Sequence, residues 1–200
     1  MKIFIASGNP HKVKEIKAII APLNINSNYL YSIENMGIHE PDEPYKNFME
    51  NACHKAKYYS AFTETPTLSE DSGLCIEALD HFPGVYTKDF VVECGGIDNA
   101  FAKLEELLRS KDNYNAYFFC AAALYLSHEK KFITFEGKCP GKISFPPRGD
   151  KRFAFDPIFM PNEYSQVMAE LSDELKNMIG HRGIAIRGVI EQFLKHSELA

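Results

Sequence analysis

The opening stretch KIFIASGNPHKVKEIKAII constrains the fold of this chain more than any other part. "KIFIA" is a short run rich in β-branched and aromatic residues, and the polar "SGNP" stops it, which reads as a buried strand entering a turn. Pro10 suits the first turn of a helix. Val13, Ile16 and Ile20 then recur at helical spacing, with Lys12 and Lys14 near the amino end. Strand, tight polar turn and helix together begin an α/β protein. Beyond Pro22, "NINSNYLYSI" reads as an irregular stretch followed by a second strand.

A chain of 200 residues, 45% hydrophobic and 24% charged, is long enough for one sizeable core, so the expectation is a single domain over residues 1–200 with two lobes sharing one sheet. A net charge of -5 provides no broad basic field for a nucleic-acid polymer, and a small anionic ligand fits better. Cys53, Cys75, Cys94, Cys120 and Cys139 are odd in number and scattered, without CxxC or a zinc spacing, which suits a reducing compartment. The apolar start is too short for a signal peptide, and no run approaches the roughly 20 apolar residues of a membrane span. The expected protein is cytoplasmic and makes no membrane contact.

Further along, the twice-proline acidic loop "HEPDEP" leads into a helix on which Phe48, Ala52, Ala56 and Tyr59 line one side. Asn51 and Lys55 lie one turn apart on its polar surface and can address the same object. "TLSEDSGL" precedes "CIEAL", a possible short strand, and Pro83-Gly84 marks a turn. Asp98 reads as the cap of a helix with Phe101, Leu104 and Leu108 inward. "YNAYFFCAAALYLS" and "KFITFEGKC" read as paired strands, and Phe153 and Phe155 as flanks of a short one. Ser172 is expected to cap a helix, and Ile186, Val189 or Ile190, and Phe193 form the apolar side of the last.

The polar concentrations have complementary chemistry. Glu40, Asp42 and Glu43, and then Glu70 and Asp71, supply hard oxygens of the kind a divalent cation needs. Lys12, Lys55, Lys176, His181 and Arg182 supply donors for anionic oxygens. Ser7, the Gly8 backbone and Asn9 are compatible with an anion-binding turn at a helix start, but lack the spacing of a P-loop or of a dinucleotide fingerprint. Phe153 offers a ring to stack on a base, and Asp156 an acceptor for ring nitrogens. The plainer readings stay open on spacing alone: a solvated acidic turn, solvated lysines, a core phenylalanine, a buried and inert Cys120.

The blocks "SGNPHKVKEI", "ENACHKAKYY", "LSEDSGLCIEAL", "FPGVYT", "FAFDPIF" and "AELSDELKNMIGHRG", in this order over nearly the whole chain, resemble the inosine triphosphate pyrophosphatase family, also called Ham1-like. "EPDE" and "PPRGDKRF" look more like its eukaryotic and archaeal members. The resemblance implies an elongated two-lobed α/β fold, with a long mixed sheet flanked by helices, a cleft between the lobes, and a homodimer. It also implies magnesium-dependent hydrolysis of ITP, dITP or XTP between the α and β phosphates, releasing the monophosphate and pyrophosphate. By motif, Ser7, Asn9, Lys12 and Lys55 would meet the phosphates, with Ser72 also contacting substrate. Glu40 and Asp71 would hold magnesium, Asp71 would activate the attacking water, and Glu70 would support it. Phe153 would stack on the purine, while Asp156, Lys176, His181 and Arg182 would surround base and ribose.

Two positions depart from the family pattern. Ala154 stands where the family has glycine between two aromatics, which fits only if the backbone there does not need positive φ. Gly180 stands where a serine usually precedes His-Arg. Both concern base recognition, so a pyrophosphatase with altered base preference is the competing enzyme expectation. A nucleotide sensor without catalysis is the competing binding expectation.

Overall fold

A computed structural model describes residues 2–23, 25, 30–33, 38–150 and 153–198. Residues 24 and 26–29 of the expected irregular stretch, and Lys151 and Arg152 of "PPRGDKRF", lie outside the described residues. Contacts divide the chain into two compact units, the first comprising Met1–Asp71, Cys120–Gly137 and His181–Ala200, the second Ser72–Phe119 and Lys138–Gly180. The strands are β1 (Ile3–Ile5), β2 (Leu30–Ser32), β3 (Thr67–Ile76), β4 (Asn115–Leu126), β5 (Lys131–Ile143) and β6 (Phe159–Pro161). They form one six-stranded sheet in the order β2-β1-β3-β4-β5-β6. β1 pairs in parallel with β2 and β3, and β5 pairs antiparallel with β6, so the sheet is mixed and the α/β class holds.

In the first unit, the helices are α1 (Pro10–Ile20), α2 (Phe48–Ser60) and α6 (His181–Glu198). α1 begins as its sequence dictates: Asn9 stands at the N-cap and its Oδ1 accepts from His11 N–H (3.0 Å) and Lys12 N–H (3.3 Å), with Pro10 in the first turn. Alternation along the strands then assigns each helix a face. Ile3, Ile5 and Leu68 pack with Val13, Ile16 and Ile20 of α1 and with Ile186, Val189 and Ile190 of α6. Phe4 and Ala6 point the other way, to Ile33 and to Tyr59 of α2. Gly137 of β5 allows the start of α6 to lie against the sheet, because a Cβ there would stand 2.0 Å from His181 O and 2.7 Å from Ala185 N.

The second unit contains α3 (Thr87–Glu93), α4 (Ile97–Leu108) and α5 (Asp173–Ile179), the first of which has no obvious sequence signal. Leu74 and Ile76 of β3 and Phe118 of β4 pack with Phe101, Leu104 and Leu108 of α4 and with Phe155 and Phe159. Ser172 caps α5 as expected, its Oγ accepting from Leu175 N–H at 3.1 Å.

Several expectations about these elements need correction. "SEDSG" is no turn and "CIEAL" no separate strand, since β3 runs unbroken from Thr67 to Ile76. Gly73 serves close approach instead of bending: a Cβ would stand 2.2 Å from Gly84 O and 2.5 Å from Thr87 Oγ1. Asp98 does not cap α4; Gly96 (φ 131°) is the N-cap, and Asp98 lies in the first turn, where a negative charge suits the helix dipole. Phe153 and Phe155 flank a turn at Ala154 and no strand, followed by a 3-10 turn at Asp156–Ile158. β5 continues through Pro140 and Gly141 to Ile143, past the expected end at Cys139.

Candidate functional site

Glu70 and Asp71 are neighbours on β3, so their side chains leave opposite faces of the strand. Both are buried, and each meets a different set of partners. Glu70 points to the side of α1 and α6. Its Oε1 lies 2.7 Å from Lys12 Nζ and 3.7 Å from Arg182 Nε, and Cys120 Sγ donates to its Oε2 at 3.4 Å. Burial alone would raise its pKa, but Lys12 and Arg182 outweigh that and hold the carboxyl well below the usual range. Arg182, itself 4% exposed, also pairs with Glu15 of α1. Lys12, Glu70, Arg182 and Glu15 thus form a chain of alternating sign, with Glu70 and Arg182 buried and Lys12 and Glu15 half-buried.

Asp71 points to α2. Asn51 Nδ2 donates to its Oδ2 at 3.1 Å, and Lys55 Nζ lies 3.7 Å from its Oδ1. Lys55 also pairs with Glu43 of the acidic segment. Asn51 ties that segment down as well: Tyr45 N–H donates to Asn51 Oδ1, and Asn51 Nδ2 donates to Tyr45 O, each at 3.0 Å. Burial, and then the repulsion of Glu43, raise the pKa of Asp71 against the pull of Lys55. Burial would lower the pKa of Lys55, but Asp71 and Glu43 more than compensate, so it stays charged. Adjacent carboxylates therefore carry opposite shifts: Glu70 is a locked anion, Asp71 an acid nearer to working pH.

The remaining sequence candidates of the first unit differ in enclosure. Ser7 Oγ accepts from Asn9 N–H at 3.3 Å, and Asn9 is engaged as the cap of α1. His181 is buried at the first residue of α6. Glu40 is exposed, and its backbone carbonyl accepts from His39 Nδ1 at 2.8 Å. Asn51 and Lys55 correct their expected place on a polar helix surface, being only 2% and 5% exposed. The sequence reading left Glu15, Glu43 and Asn51 out of its site. Their signals were present: Glu15 follows Lys12 by three residues on α1, Asn51 precedes Lys55 by one turn, and Glu43 belongs to the acidic segment.

In the second unit, Asp156 is 3% exposed and its Oδ2 lies 2.6 Å from Lys176 Nζ, which sits 4.8 Å above the centre of the Phe153 ring. A half-buried ring, an ammonium and a carboxylate in one cluster are what a flat heterocycle with carbonyls and ring N–H groups requires. Ser72 is half-buried on β3. Ala154 overturns its condition, since it adopts φ +47°. Gly180 has an ordinary φ of -74°, and a Cβ there would stand 2.5 Å from Lys176 O, so this backbone disfavours the usual serine.

Among the described residues, no three His, Cys, Asp or Glu side chains gather into a ready-made metal cage. All five cysteines are free, and no described helix is long and apolar enough to cross a membrane. The chain matches the Ham1 family over residues 3–192. It is 37% identical to a dITP/XTP pyrophosphatase of Nitrosomonas europaea, over 98% of this chain and 96% of the relative. It is also 37% identical to a dITP/XTP pyrophosphatase of Aquifex aeolicus, with all of both chains covered. A solved HAM1 protein from Coxiella burnetii superimposes with a TM-score of 0.84 at 29% identity, over 98% of this chain and 99% of that one.

Proposed function

Because this chain belongs to the Ham1 family, we propose that it hydrolyses dITP, XTP and ITP between the α and β phosphates, giving the monophosphate and pyrophosphate, as a cytoplasmic homodimer that uses magnesium. The observation that carries the proposal is the group Asp71, Lys55 and Glu43: two carboxylates share one lysine beside a third, Glu70, whose pKa is held well below the usual range. Magnesium usually takes one or two carboxylates and completes its shell with water and substrate phosphates, so this donor set fits it without a larger cage. Asp71 and a carboxylate of the acidic segment, Glu40 or Glu43, would hold the ion. When bound, it supplies charge neutralisation at the phosphoryl oxygens and a lower pKa for coordinated water.

The chain's own residues do the rest. Asp71, held by Asn51 and Lys55, accepts the proton of the attacking water. Lys12 and Lys55 draw the negative charge that builds on the phosphate oxygens, and Ser7 and Asn9 lie at the start of α1 to bind them. Glu70 keeps Lys12 and Arg182 in place. Phe153 stacks on the purine, and Asp156 and Lys176, with His181 and Arg182, contact base and ribose. A lysine aimed at the O6 carbonyl of hypoxanthine or xanthine would face an amino group in adenine, a mismatch costing about 1–3 kcal/mol.

Direct product analysis tests the proposal: ITP with magnesium should give IMP and pyrophosphate, and IDP with orthophosphate would refute it. Asp71→Asn should abolish turnover. Since a raised carboxyl pKa makes the ionised form costly in the fold above that pKa, the same variant should melt no lower than wild type at pH 7. A broader base preference is the second reading, favoured by Ala154 at positive φ beside Phe153. Comparable turnover of ITP, XTP, GTP and ATP would select it.

A further inference from the structure

Tyr59 stands one turn beyond Lys55 on α2 and is 0% exposed. Its ring packs with Phe4, Ala6 and Ile33 and meets Tyr58 edge-on, 5.1 Å between centroids. A phenylalanine would satisfy every one of these contacts. The hydroxyl is buried as well, yet among the described residues it has no hydrogen-bond partner. Such a group costs stability unless something completes it.

Its surroundings identify the missing acceptor. Ile38, two residues before Glu40, packs on the same apolar cluster, so the acidic segment passes close to the ring. A phenol keeps its proton at neutral pH, so the hydroxyl is available as a donor. Glu40 is exposed, with a carboxylate that accepts hydrogen bonds.

We infer that Tyr59 is a positioning residue whose O–H donates to the Glu40 carboxylate when the acidic segment takes up its cation. An O–H···O⁻ bond of this kind is among the stronger protein hydrogen bonds, and it would fix the direction in which Glu40 presents its other oxygen. The inference rests on the pyrophosphatase reading, in which Glu40 serves the metal, and adds to it a donor from the buried side of α2.

The test compares wild type, Tyr59→Phe, Glu40→Gln and the double variant. Melting is followed without metal, and binding of the non-hydrolysable analogue α,β-methylene-ITP is followed by calorimetry with magnesium chloride. Tyr59→Phe should melt at or above wild type, because it loses only an unsatisfied hydroxyl, and should bind the analogue about tenfold more weakly with magnesium. In the Glu40→Gln background, it should change binding less than about twofold. A lower melting temperature, unchanged binding, or an equal loss in both backgrounds would overturn the inference. Wild type that fails to bind would overturn the parent reading too, whereas wild-type binding with an unaffected Tyr59→Phe removes only the role of Tyr59.

Discussion

Ala154 allows a perturbation whose size follows from the backbone. It is exposed and holds φ +47°, in the left-handed region that L-residues avoid because Cβ crowds the following carbonyl. That crowding costs about 1–2 kcal/mol, and glycine does not incur it. Glycine instead loses more freedom on folding, about 0.4–1 kcal/mol. Little packing is at stake at an exposed methyl, so Ala154→Gly should stabilise the protein by about 1 kcal/mol. With an unfolding entropy near 2.1 cal/mol/K per residue, 200 residues give about 0.4 kcal/mol per degree, and the expected gain is about 2–3 °C in Tm. Scanning calorimetry resolves such a change, and Ala154→Val, β-branched at the same φ, should move Tm the other way. A fall in Tm for the glycine variant would show that unfolded-chain entropy outweighs the backbone strain, and would refute the reasoning.

Two further substitutions probe the first unit. Glu70→Gln leaves Lys12 and Arg182 short of a buried counter-charge and should cost about 3 kcal/mol at pH 7. Because the folded pKa of Glu70 is depressed, its contribution is complete above the ordinary carboxylate pKa of about 4.3 and is lost as pH falls through the folded value, so urea titrations should show the gap to wild type narrowing below about pH 4. Gly137→Ala drives a Cβ into the backbone of His181 and should cost about 1–3 kcal/mol and lower kcat/KM. In Gly188→Ala the nearest atoms to the new methyl belong to the exposed Phe135 side chain, which yields more readily than the His181 backbone, so equal losses in the two variants would contradict this account.

What the sequence made legible was what neighbouring residues decide. Asn9-Pro10 and the spacing of Val13, Ile16 and Ile20 are enough to place α1, and Ser172 is enough to start α5. Misreadings arose where distant residues decide. Two adjacent acids in an apolar run look like a turn until Lys12, Lys55 and Arg182, from three separate helices, neutralise them inside a strand. Gly73 looks like turn chemistry until Gly84 and Thr87 are seen lying against it. Motif resemblance named the candidate site residues, but it could not say which acid would be locked and which left responsive. That depends on partners contributed by other elements.

The pairing of Phe4 with Thr67 and Ile5 with Leu68 has a chemical meaning beyond holding β1 to β3. Parity along β3 decides which acid faces Arg182 and which faces Lys55, so sliding the strand by one position would turn each acid to the other's face. An extra residue among 61–66 would merely lengthen a loop. The same residue inserted between Thr67 and Ser69 would leave every side chain in the protein, yet bring Glu70 to the place of Asp71 before Lys55 and leave Ser69 before Lys12 and Arg182.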